Sequence, residues 1–148
     1  MKTITLEIAS ARISAIAHTT EDPRKVVDAL YQLCSEEKFH PKVEKHVVKG
    51  HFGNSITKVD FVLQSSSANS FFEDIWTRLS HMDRATTLLE LDSRIDAEGK
   101  FYLRVDKQEC FRGKLQKKDE DPIKVQVAFR GLSGSIEETR QFLKSIQT

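Results

Sequence analysis

Apolar residues recur along this chain with two alternating periods. Ile4, Leu6 and Ile8 occupy every second position, and Ala11, Ile13, Ala15 and Ala17 continue the alternation one residue out of phase. A period of two marks a strand with one buried face, and the phase slip calls for a bulge near Ala9 or Ser10, so a first strand is expected from about Thr3 to His18. The period then changes. Asp22 before Pro23 marks a helix start, with a carboxylate to cap orphan amides and a proline tolerated in the first turn. Val26, Val27, Leu30, Leu33 and Cys34 follow at helical spacing.

Two β-rich runs, Val43 to Lys49 and Ile56 to Leu63, flank Gly50-His51-Phe52-Gly53-Asn54-Ser55, where two glycines suit a projecting hairpin loop. Phe71, Phe72, Ile75, Trp76 and Leu79 predict a second helix with its aromatic stripe in the core, and Arg84 to Leu91 a short third one. A short strand from Leu91 to Ile95 is expected to turn at Asp96-Ala97-Glu98-Gly99 into a strand at Lys100 to Val105. Gln108 to Arg112 reads as a helical turn ended by Gly113. Ile123, Val125, Val127 and Phe129 form the cleanest alternating strand, and Ser135 with Glu138 reads as a capping box before a helix carrying Ile136, Phe142, Leu143 and Ile146. Strands with polar outer faces predict a two-layer α+β fold, an antiparallel or mixed sheet with helices packed on one face.

The chain has 148 residues, enough for a single domain spanning 1–148 with its own core. Its net charge of +1 argues against coating nucleic acid by charge alone. The distribution changes that picture, because residues 1–37 and 61–96 are net acidic whereas 38–60 and 97–148 are net basic. The acidic blocks read as helical and the basic ones as sheet, so folding can gather positive charge on one face. Cys34 and Cys110 form no Cys-x-x-Cys pair, no signal peptide or membrane span is legible, and a cytoplasmic location is the expectation.

Within Phe101-Tyr102-Leu103-Arg104-Val105-Asp106-Lys107-Gln108, one face is apolar, and the run ends in a polar stretch that suits recognition more than catalysis. Tyr102, Arg104, Lys124, Gln126 and Arg130 fall on outward positions of two strands that can share a surface. In the glycine loop, backbone amides and His51 can approach a phosphate, Phe52 offers a stacking surface, and Asn54 an amide for a base edge. Lys45, Lys49 and Lys58 flank it. Arg104, Lys107, Arg112 and Lys114, with Gln108, form a second cluster, although Lys107 and Gln108 serve equally as braces for the following turn.

Ala17-His18-Thr19-Thr20-Glu21-Asp22, Gly50-His51-Phe52-Gly53-Asn54 and Leu103-Arg104-Val105-Asp106-Lys107-Gln108, with Gly113 after it, resemble in this order an archaeal family of small RNA-binding proteins described as predicted exosome subunits. The resemblance implies a helix-backed sheet related to the ribosomal protein that binds 5S ribosomal RNA. It also implies an RNA-related role, and supplies no catalytic residue. The expected RNA-binding residues are therefore Lys49, His51, Phe52, Asn54, Arg104, Lys107, Gln108, Arg112 and Lys114.

Glu21-Asp22 reads as a helix cap, and Cys34 with His40, His46 and His51 has no zinc spacing, so neither a metal nor a cofactor is expected. No nucleophile elbow, Walker loop or dinucleotide fingerprint is present. The expectation is a non-catalytic RNA-binding protein of RNA processing or exosome-linked degradation. A protein–protein adaptor of an RNA-processing complex is the alternative. An RNA-cleaving enzyme using His51 as acid or base and Lys107 as charge stabiliser is the weaker third reading.

Overall fold

A computed structural model describes residues 6–34, 42–49, 55–130 and 136–146. Five strands, β1 (Glu7–Ala17), β2 (Glu44–Lys49), β3 (Ser55–Gln64), β4 (Phe101–Asp106) and β5 (Pro122–Arg130), form one sheet in the order β2-β3-β1-β5-β4. Every neighbouring pair is antiparallel. The helices are α1 (Pro23–Leu33), α2 (Ser65–Arg78), α3 (His81–Leu89), α4 (Leu91–Arg94), α5 (Lys107–Phe111) and α6 (Ile136–Ser145). The α+β class follows directly.

The register explains the core. Ala11, Ile13 and Ala15 of β1 face Leu63, Phe61 and Val59 of β3 on one side and, for the first two, Val127 and Val125 of β5 on the other. Directly opposed residues share a sheet face, so these side chains line one apolar surface. The first-strand phase slip is absorbed where the β1–β5 register shifts between Ile8 and Ser10, which keeps Ile8 and Ala11 both buried. Helices α1 and α2 cover that surface. Phe71 meets Phe61 edge-on, Phe72 meets Phe101 edge-on and lies parallel to Trp76, and Phe142 of α6 closes the far end against Phe72 and Phe129.

Asp22 caps α1 by accepting a hydrogen bond from Arg24 N at 2.9 Å. Gly113 ends α5 with φ 82°, a left-handed conformation that glycine adopts without strain. The segment Leu91 to Ile95 departs from the expected strand. Leu91–Arg94 is a helical turn that buries Leu91 and Arg94 together, and only Ile95 makes a bridge, to Phe101. Helical spacing lets Arg94 reach back four residues to Glu90 at 2.8 Å and across to Asp119 at 2.8 Å, so its two terminal nitrogens are paired with carboxylates while the buried Nε has no hydrogen-bond partner. The Ser135 capping box lies outside the described residues.

Candidate nucleic-acid interface

One face of the sheet is covered by helices, and among the described residues the other is open. Alternation sends Arg12, Ser14 and Ile16 of β1 to the open face, and the ladders align their neighbours in rows. In one row Asp60, Ser14, Lys124 and Arg104 lie side by side across four strands. In the next, Val62, Arg12, Gln126 and Tyr102 do the same. Lys58 stands beside Ile16 one row further along. Arg12 is ion-paired with Asp60 at 3.7 Å. Arg104 and Lys124 lie directly opposite one another, and among the described residues neither has a carboxylate at ion-pair distance. Two like charges side by side in a ladder are unfavourable, a cost that an anionic ligand removes.

Tyr102 organises this face. The Lys124 ammonium sits 4.7 Å above the ring centre, a cation–π contact, and the phenol donates to Asp96 Oδ2 at 2.7 Å. That hydrogen bond, with burial and the Asp96 charge adding to it, pushes the phenol up to about 12, while the same bond together with backbone amides of Lys100 and Glu98 lowers the Asp96 carboxyl.

A second feature lies at the sheet end where β1, β3, β4 and β5 meet. Lys107, 4% exposed, donates to Glu21 Oε1 and Ile16 O, each at 2.9 Å, and lies 2.9 Å from Asp121 Oδ2. His18 Nε2 is 3.0 Å from the other oxygen of Asp121, and the His18 amide donates to Glu21 Oε1 at 3.0 Å. Thr19 Oγ1 donates to the carbonyl of Ser55, the first residue of β3. Burial tends to raise the Asp121 carboxyl, but hydrogen bonds from Lys107 and His18 outweigh it and hold the group below its ordinary range. Asp121 takes φ 45°, a left-handed conformation that aspartate tolerates better than most residues, and its two partners fasten it there. His18, Glu21 and Asp121 also have the donor set of a cation site. The Lys107 ammonium lies between the two carboxylates, 2.9 Å from an oxygen of each.

The expected binding residues therefore separate. Lys107, expected as ligand or as brace, has the geometry of a brace: its buried ammonium lies 2.9 Å from three acceptors, one for each of its hydrogens. Arg104 is on the open face. Arg112 and Lys114 are exposed but follow α5, which packs on α1 through Cys110 and its contact with Ala29 O, and so stand with the helix layer rather than with Arg104. Arg112 is paired with Glu109 at 3.2 Å. Gln108 is exposed at a groove between α1 and α5 that Lys25 and Phe111 also line. Lys49 is exposed at the end of β2, a strand exposed along its whole length. His51, Phe52 and Asn54 lie outside the described residues. Arg12 was missed, although its place between Ser10 and Ser14 in an alternating strand marks it as outward. Asp121 carried no signal at all, since its partner His18 is 103 positions away.

A family model described as RNA binding matches residues 10–129, and the chain belongs to that RNA-binding family. It is similar to the RNA-binding protein PAB1135 of Pyrococcus abyssi, 36% identical over 126 residues that cover 82% of each chain. It is also similar to the uncharacterized protein MJ0213 of Methanocaldococcus jannaschii, 32% identical over 77% of this chain and 78% of that one. Among solved structures, AF2318 from Archaeglobus fulgidus, a DUF54 protein, superposes with a TM-score of 0.80 at 27% identity, covering 95% of this chain and all of the other. These three sources are archaeal. No helix among the described residues is long and apolar enough to cross a membrane.

Proposed function

We propose that this protein binds RNA on the open face of its sheet without cleaving it, and acts in RNA processing or exosome-linked degradation. Membership of the RNA-binding family supports the ligand. The observation that carries the site is the juxtaposition of Arg104 and Lys124, two cations directly opposed on the face away from the helices, with no carboxylate at ion-pair distance among the described residues. Arg12 and Lys58 extend the cationic face. Lys49, opposite Ser55, falls on the other face of β2 and, with Gln108, Arg112 and Lys114, forms a separate set, while His51, Phe52 and Asn54 are proposed contacts on the sequence pattern alone. A non-catalytic role is favoured because Lys107, the charge stabiliser of the cleaving-enzyme reading, is bound to Glu21, Asp121 and Ile16 O in a structural clamp that His18 joins. The exosome link and the kinship with the 5S-binding ribosomal fold rest on the three matched sequence segments.

The test is a titration of labelled RNA by wild type and by the Arg104→Ala/Lys124→Ala variant. The variant should fold normally, bind more weakly, and lose about 0.7–0.9 in the slope of log affinity against log salt for each phosphate contact removed. Unchanged affinity and slope in a folded variant would place the site elsewhere. Recovery of exosome proteins with the tagged chain, surviving nuclease, tests the processing role.

A further inference from the structure

We propose that the open sheet face takes double-helical rather than single-stranded RNA, an inference that rests on the RNA-binding reading above. Proteins that hold single strands combine cations with exposed rings on which bases stack, each stack worth about 1–3 kcal/mol. Here the aromatic residues are spent on the other side of the sheet, where Phe61, Phe71, Phe72, Trp76 and Phe101 are buried. Among the described strand residues of the open face, the sole Phe, Tyr or Trp is Tyr102, and it is not a free platform. Lys124 lies over its ring and Asp96 holds its hydroxyl.

What the face offers instead is charge, short polar side chains and breadth. Short Ser10, Ser14 and Ala128 alternate with Arg12, Lys124 and Gln126 along β1 and β5, with Lys58 on β3 and Arg104 on β4 at the two margins. Those margins are three strand spacings apart, about 14 Å. A broad face with cations at its margins and on its central strands suits a regular backbone whose phosphates are fixed in place, whereas a flexible strand without stacking on this face loses its ordering entropy for little return. Ser14 and Gln126 lie on the two central strands, where a hydroxyl and an amide can meet the 2′-hydroxyls displayed in the shallow minor groove of an RNA helix.

The experiment is fluorescence anisotropy of the full chain with two labelled RNAs, a hairpin with a stem of about 16 base pairs, the span a double-strand-binding module covers, and an oligouridylate of equal nucleotide count. The stem should bind at least about tenfold more tightly, and Arg104→Gln or Lys124→Gln, which keep bulk while removing charge, should each weaken stem binding. Oligouridylate binding as tight as the stem, or tighter, overturns the inference while leaving the RNA-binding reading intact. Failure of both RNAs to bind overturns the reading and the inference together.

Discussion

Replacing Lys107 by methionine separates a structural brace from a ligand. The substitution keeps the length of the side chain but removes an ammonium that lies 2.9 Å from each of three acceptors, Glu21 Oε1, Ile16 O and Asp121 Oδ2. Breaking a buried ion pair by deleting one partner costs about 3–5 kcal/mol, because the remaining charge is left without compensation. The carboxylates here keep contact with water, 23% exposed for Glu21 and 45% for Asp121, which places the expected loss near the lower end, about 3 kcal/mol. For a chain of this size that corresponds to a fall in Tm of about 6–12 °C, read by circular dichroism at neutral pH. Acid should reveal the same clamp. A carboxyl held below its ordinary value of 3.8 contributes stability that is complete above that value and is lost as pH falls through the depressed one, so the acid sensitivity of the wild type should be shallower in Lys107→Met. RNA affinity of the folded variant should be unchanged. A variant that melts with the wild type yet binds RNA poorly would refute the bracing role and restore Lys107 as a ligand.

Other outcomes follow from the same geometry. In a Tyr31→Phe background, ultraviolet titration should show Tyr102 ionising at about 12, and Asp96→Asn should bring it back towards 10.0, because the hydrogen bond to a charged acceptor is what favours the protonated phenol. Cys34 and Cys110, both buried and raised to about 12 chiefly by desolvation, should resist a thiol reagent in the native protein and react promptly in denaturant. Phe72→Ala, which empties a fully buried site touched by Trp76, Phe101 and Phe142, should cost about 3–5 kcal/mol in a urea titration.

Local pattern carried most of the fold. Alternation in β1, β4 and β5, the Asp22-Pro23 helix start and the glycine after α5 are each decided within a few residues, by periodicity, capping chemistry and allowed φ. The exception is Leu91 to Ile95, where a short apolar pattern fits strand or helix alike and the distant Asp119 decides for the helix through Arg94.

The candidate site divides along the same line. That Arg104 and Lys124 point away from the core follows from strand alternation in the residues themselves. That they oppose each other, and that Lys107, equally cationic on paper, is consumed by Glu21 and Asp121, depends on which strands become neighbours and which loops meet at their ends. Alternation is a property of consecutive residues, whereas charge pairing is a property of distance in space, and here partners separated by 86 positions lie 2.9 Å apart. Three segments scattered through the chain thus meet at one end of the sheet, where Lys107, whose pattern fitted ligand and brace alike, lies between Glu21 and Asp121.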